Sequence, residues 1–382
     1  MDWFTDLFGQ AQQALFEGVV QPIVFNLGFG NLLEDAFDAT GWLLVGLLQI
    51  VFMLAVIGAL QRWKPAEPVT DRRAIRVDVI YTLIQRLGLF RLAMFFTIEP
   101  VFDALTGQMR LWGIPTFQLD GIWPGVTDVA WVSFVIYLLA FDLVNYWLHR
   151  AQHQWHWWWA LHSLHHSQRQ MTMWSDSRNH LLDDLLIDSV VVLVARLIGV
   201  GPGQFVALVA LSQLMENLQH ANLRVSFGLL GERLLVSPRF HRLHHSIGIG
   251  HENFGAGTLG GHNFAVLFPI WDVIFRTANF EDRWDPTGVR DQLPEAGGRD
   301  YGEGFWAQQW LGMKRLFGRR RPYAATSRAR MSASSSASAG AGATAAAGGP
   351  SAHHSHDSNT HNSNTHSTSP VEPGRLSTGG DD

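Results

Sequence analysis

The chain has 382 residues, 47% of them hydrophobic, with a formal net charge of −5 and no cysteine. The charge gives no support to nucleic-acid binding, and the lack of cysteine excludes disulfides, thiolate metal sites and an iron–sulfur cluster held by this chain. Length alone allows more than one domain. Charge and low-complexity sequence gather at the ends, however, leaving a strongly apolar middle, and tryptophan, which favours bilayer interfaces, is abundant (16).

Residues 1–18 lack the basic start and continuous apolar stretch of a signal peptide. Trp3, Phe4, Leu7, Phe8, Ala11 and Leu15 share one helical face, so residues 1–40 are expected to begin with an amphipathic helix lying on a membrane. Residues 41–60, GWLLVGLLQIVFMLAVIGAL, are uncharged and long enough to span a bilayer core. Arg62, Lys64, Arg72, Arg73 and Arg76 follow, whereas Glu34, Asp35 and Asp38 precede. The positive-inside rule therefore places residues 61–76 in the cytoplasm and the N-terminus outside. Residues 77–101 read as a second membrane helix whose Arg86 and Arg91 face protein or snorkel. Residues 102–127 read as an external loop, and residues 127–147 as a third span returning the chain inside. The apolar stretches 181–199 and 203–219, broken by GVGPG, fit a hairpin entering and leaving from the cytoplasmic side. The expected fold class is all-α, a polytopic membrane helical bundle.

Six histidines crowd the end of the third span: His149, His153, His156, His162, His165 and His166, spaced H-x3-H and then H-x2-HH. Positions i, i+3 and i+4 share a helical face. A second H-x2-HH, His241, His244 and His245, lies in SPRFHRLHHS, where Ser237 and Pro238 read as an N-cap and first-turn proline. Neutral imidazoles gain nothing from crowding and charged ones repel, so a bound metal is what makes such groups favourable. Nitrogen ligation suits iron, zinc, copper or nickel, and eight candidates exceed the four ligands of one tetrahedral zinc. Two His-ligated transition metals on the cytoplasmic face are therefore expected. A glycine-rich loop follows, then FAVLFPIWDVIFRTANF, which Pro269, Asp272 and Arg276 mark as a packing segment rather than a span. Residues 281–321 read as a cytosolic extension ending in a basic run, and residues 322–382 as a disordered tail. The tail histidines His353, His354, His356, His361 and His366, like His156, His251 and His262, are not read as ligands.

The three histidine boxes, interleaved with membrane helices, resemble the bacterial-type members of the fatty acid hydroxylase/sterol desaturase superfamily, integral-membrane non-haem di-iron enzymes. DLVNYWLHR, SPRFHRLHHS, NFG at 253–255 and IWDVIFRT at 270–277 carry the likeness. It covers residues 125–280, which would form the catalytic domain behind N-terminal membrane helices and a loop at 41–124. The resemblance implies His149, His153, His162, His165, His166, His241, His244 and His245 as metal ligands. His220 in LQHANL and His180 in RNHLLDD match further positions, although Leu181 replaces the family's proline and Asp183 stands near its acid. Asp142, Asn145 and Glu216 are candidates to orient imidazoles, the last two preceding His149 and His220 by four. No catalytic side chain beyond the metal centre is implied. The implied cofactors are two iron ions, with zinc as a substitute. The implied reaction is O2-dependent hydroxylation or desaturation of a C–H bond in a bilayer lipid. Without a cytochrome-b5-like or dinucleotide-binding segment, electrons would come from a separate ferredoxin, cytochrome or reductase, at a bacterial inner membrane. Two other classes compete. One is a His-rich membrane metal-binding or transport protein, the other a zinc-dependent lipid hydrolase, which the lack of a carboxylate base within the clusters weakens.

Overall fold

The computed structural model describes residues 2–114 and 117–318; the low-complexity tail and its five histidines lie outside them. Among the described residues all regular structure is helical, apart from one isolated bridge between Ser246 and Thr287. Helix α1 (Asp2–Leu15) runs through a π-helical turn, Phe16–Val20, into α2 (Gln21–Asn26). Both pack on α3 (Leu33–Phe52), where Gln12 donates to the Phe37 carbonyl at 2.9 Å and the Phe16 ring meets Phe37 edge-on. The amphipathic stretch is thus one arm of a helical hairpin, with Trp3 and Leu7 exposed on it.

A second π turn, Met53–Ile57, joins α3 to α4 (Gly58–Trp63). Leu47, Leu48, Val51 and Leu54 point outward, as side chains facing lipid do. Met53 and Ile57 are buried against Met173, Ala221 and Leu223. Helix α5 (Arg72–Arg86) is capped by the Asp71 carboxylate, which accepts from the amides of Arg73 and Ala74. The chain then bends by 49° at left-handed Gly88 into α6 (Leu89–Thr97), followed by α7 (Glu99–Leu111). Arg86 does not snorkel: its buried guanidinium pairs with Asp176 at 3.2 Å, as Arg178 pairs with buried Asp78 on the same helix.

Helix α8 (Ala130–Gln154) leads through Trp155 into α9 (His156–His166). The predicted hairpin is α10 (Leu181–Ile198) and α11 (Pro202–His220), broken by left-handed Gly199, where a Cβ would lie 2.7 Å from the Phe117 carbonyl. Two stretches, Gly30–Trp63 and α8, are long and apolar enough to cross a membrane, with the bent α5–α6 pair as a third. The protein is a membrane protein. Helix α10 carries Asp183, Asp184, Asp188 and Arg196 and is not among those spans.

Beyond the short α12 (Gly228–Leu234), α13 (Pro238–His244) begins as its sequence predicts. The Ser237 hydroxyl accepts from the Phe240 amide at 3.1 Å, and Pro238 opens the first turn. The segment 264–275 forms only a five-residue helix, α14 (Ile270–Ile274), because its polar groups are spent on anchoring. Asp272 accepts from the amides of Phe264 and Ala265, and Asp142 of α8 accepts from Leu267, Phe268 and the Trp271 indole at 2.8, 3.0 and 2.9 Å. The last helix, α15 (Phe305–Phe317), packs on α9 and α5.

Candidate metal centre

Four helices deliver the histidines to one place. Helix α8 brings His149 and His153, α9 brings His162, His165 and His166, α11 ends on His220, and α13 presents His241 and His244 with His245 just beyond. Their ring nitrogens fall into two groups of four, His149, His153, His162 and His166 in the first and His165, His220, His241 and His245 in the second. Within each group the nitrogens lie within 4.8 Å of one another, a spacing that fits one ion with nitrogens about 2.0–2.1 Å away. His166, His244 and His245 form a further set, and the His166 ring stacks on His245 at 4.2 Å, so the two groups meet there.

The first group shows why a cation fits. The outer nitrogens of His149 and His153 face the carbonyls of Phe264 and Gly260 at 2.9 and 3.2 Å, and that of His162 faces the Asp183 carboxylate at 3.1 Å. Carbonyl and carboxylate oxygens only accept, so Nδ1 carries the proton and Nε2 keeps its lone pair. The Nε2 atom of His166 lies 3.0 Å from that of His153 and 3.2 Å from that of His162. Lone pairs facing each other at such distances, buried away from water, repel unless a cation sits among them. In the second group Nε2 faces Nε2 at 3.0–3.1 Å from His165 through His220 and His241 to His245. His244 gives Nδ1–H to the His262 carbonyl and leaves a buried Nε2 without a partner. Burial, reinforced by neighbouring imidazoles, holds His165, His166, His241, His244 and His245 well below their ordinary pKa, hence neutral and able to ligate.

His180 stands apart from both groups. Its Nδ1 accepts from the Leu182 amide at 3.1 Å, capping α10, and its Nε2–H donates to the Gln309 carbonyl of α15 at 2.9 Å. Both nitrogens are used, and the ring packs flat against Gly312, where a Cβ would sit 2.3 Å from it. The orienting candidates also land elsewhere. Asp142 ties the closing segment to α8, whereas Asn145 and the Glu216 side chain line a cavity. His220 Nδ1 donates to the Glu216 backbone carbonyl at 2.8 Å, with Asp176 at 3.5 Å. His156 is exposed at the start of α9.

Three features escaped the sequence reading. Asp183 gathers donors from Gln152, Trp158 and His162, a role its place after His180 hinted at. The Asn-Phe pair at the centre is Asn263–Phe264 rather than 253–254, with Asn263 left-handed and the Phe264 carbonyl holding His149, whereas Phe254 is exposed. His251, a lone histidine in a glycine-rich loop, is buried with its Nε2 2.8 Å from Nδ1 of His166.

A cavity of about 230 Å³ opens beside the centre. His149, His162, His165, His220 and His241 form one wall, and Leu138, Phe141, Val191, Phe205 and Leu208 of α8, α10 and α11 form the apolar side.

A helical membrane protein with two converging four-imidazole groups beside a cavity with one apolar side has the architecture of a histidine-box metal site. Residues 134–277 match the fatty acid hydroxylase family model, in keeping with the resemblance its histidine boxes carry. It is similar to an ornithine lipid hydroxylase of Rhizobium tropici, 25% identical over 62% of this chain and 67% of that protein. An alkylglycerol monooxygenase of Caenorhabditis elegans is 27% identical over 42% of this chain, which spans only 29% of that protein's length. No solved structure matches the chain significantly.

Proposed function

We propose that the protein is an oxidoreductase of the lipid hydroxylase class, a membrane-bound non-haem di-iron oxygenase acting on a C–H bond of a bilayer lipid. The observation that carries this reading is the convergence of nine imidazoles on two adjacent points, five of them at the wall of a cavity whose other side is apolar. The first ion would be held by His149, His153, His162 and His166, the second by His165, His220, His241 and His245, with His244 beside both. Bound there, two iron ions would supply the reductive activation of dioxygen that an unactivated C–H bond requires. One oxygen atom would enter the lipid and the other leave as water, consuming two electrons and two protons.

The chain's own residues do the rest. Nδ1–H bonds to Phe264, Gly260, Asp183, Glu216 and His262 fix which nitrogen of His149, His153, His162, His220 and His244 faces inward. Leu138, Phe141 and Leu208 would hold a hydrocarbon segment against the histidine wall and keep water from it. Electrons would arrive from a separate donor protein at the cytoplasmic face of a bacterial inner membrane, the side to which basic residues 62–76 assign the boxes. Comparing the lipids of cells with and without the gene by mass spectrometry tests the reading. A lipid gaining one oxygen, or losing two hydrogens if the enzyme desaturates, is expected. Unchanged lipids alongside altered cellular zinc or iron would favour metal transport instead.

A further inference from the structure

We infer that His251 is a positioning residue for the metal centre, acting through His166; the inference rests on the two-metal reading above. His166 occupies the junction, since it belongs to the first group and also meets His244 and His245 of α13. Its Nε2 faces His153 and His162, so its Nδ1 carries the proton and needs an acceptor. The other members of its group give that proton to a backbone carbonyl or a carboxylate. For His166 the acceptor is the Nε2 lone pair of His251, at 2.8 Å with the two rings nearly perpendicular (85°). This bond fixes which nitrogen of His166 faces inward and the pitch of its ring, and makes it a better donor to a metal.

The loop carrying His251 is built to hold it there. The His251 amide donates to the Gly248 carbonyl at 3.0 Å. At Gly250 a Cβ would lie 1.9 Å from the His244 carbonyl, so the loop backbone rests directly on the end of α13. Next in sequence, Glu252 takes a two-pronged ion pair from Arg290 at 2.6 and 2.9 Å. The His251 ring itself packs near Trp159, at 5.3 Å between centroids. The ring's Nδ1 is buried without a partner, so its one hydrogen bond is the one to His166, at the junction.

The test compares the full-length protein with His251→Leu, which keeps bulk but removes the acceptor, and His251→Gln, whose amide oxygen can accept. Each is loaded with zinc and titrated with a competing chelator. Wild type should hold two ions. In His251→Leu one ion should leave at roughly 10–100-fold lower chelator concentration, and His251→Gln should restore most of the affinity. Metal-free unfolding midpoints for all three confirm that the variants fold. His251→Leu with wild-type affinity for both ions, or equal losses in the Leu and Gln variants, would overturn the inference while leaving the two-metal reading intact. A wild type that binds no second ion would overturn both.

Discussion

The two imidazole groups look alike from inside and differ from outside. In the first, every outer nitrogen has a partner: Phe264, Gly260, Asp183 and His251 hold His149, His153, His162 and His166. In the second, only His220 is so held, whereas Nδ1 of His165, His241 and His245 is buried without one. The reason lies in what surrounds each group. The first faces the loop and closing segment of residues 251–265, whose irregular backbone offers carbonyls. The second is enclosed by α9, α11 and α13, whose backbone groups are already bonded within the helices. Two loop carbonyls, the Asp183 carboxylate and His251 therefore orient the rings of the first group, whereas in the second only His220 is oriented by a hydrogen bond and the other rings rest on helix packing.

The largest test of this contrast is His166→Ala. Removing the ring where the groups meet should abolish binding of both ions, seen by elemental analysis; loss of one alone would show that the groups are independent. Next in size is the order of release. Under chelator titration of the wild type, the ion of the second group should leave first, by roughly 10-fold or more in chelator concentration. Labelling the exposed rings identifies it: His241 and His245 should react before His149 and His153. Asp142→Ala addresses the anchoring itself. It leaves the amides of Leu267 and Phe268 and the Trp271 indole without their acceptor, a cost of roughly 3 kcal/mol. The unfolding midpoint should fall accordingly, and the first group's affinity should fall more than the second's. The smallest effect is expected of His180→Ala, about 1 kcal/mol from the lost cap on α10, with both ions retained. A drop in metal content in that variant would return His180 to the ligands.

Most of the centre could be read from the sequence because its signals are local. Helical spacing alone puts His162, His165 and His166, or His241, His244 and His245, on shared faces, and an uncharged run marks α3. Ser237 and Pro238 announce α13. What could not be read depends on contacts far apart in the chain. His251 meets a partner 85 residues away with no spacing to advertise it. His180 looked like a ligand because RNHLLDD resembles a family element, yet its fate is decided by α15, 129 residues on. Asp142 sits on a stripe with Asn145 and His149, but its oxygens turn to residues 125 and more positions later. FAVLFPIWDVIF has the apolarity of a helix, but Asp272 bonds the amides of Phe264 and Ala265 instead.

The buried pairs on α5 bear on modularity. Residues 134–277 carry the family match and every histidine of the centre, which invites their expression as an independent unit. Arg86 and Asp78 lie outside that segment, and they neutralise Asp176, beside His220, and Arg178. Excision would strand both charges in the interior, at a cost of about 3–5 kcal/mol for each broken pair. Helix α5, which precedes the family segment, therefore belongs with the surroundings of the centre, and a unit that keeps both pairs includes it.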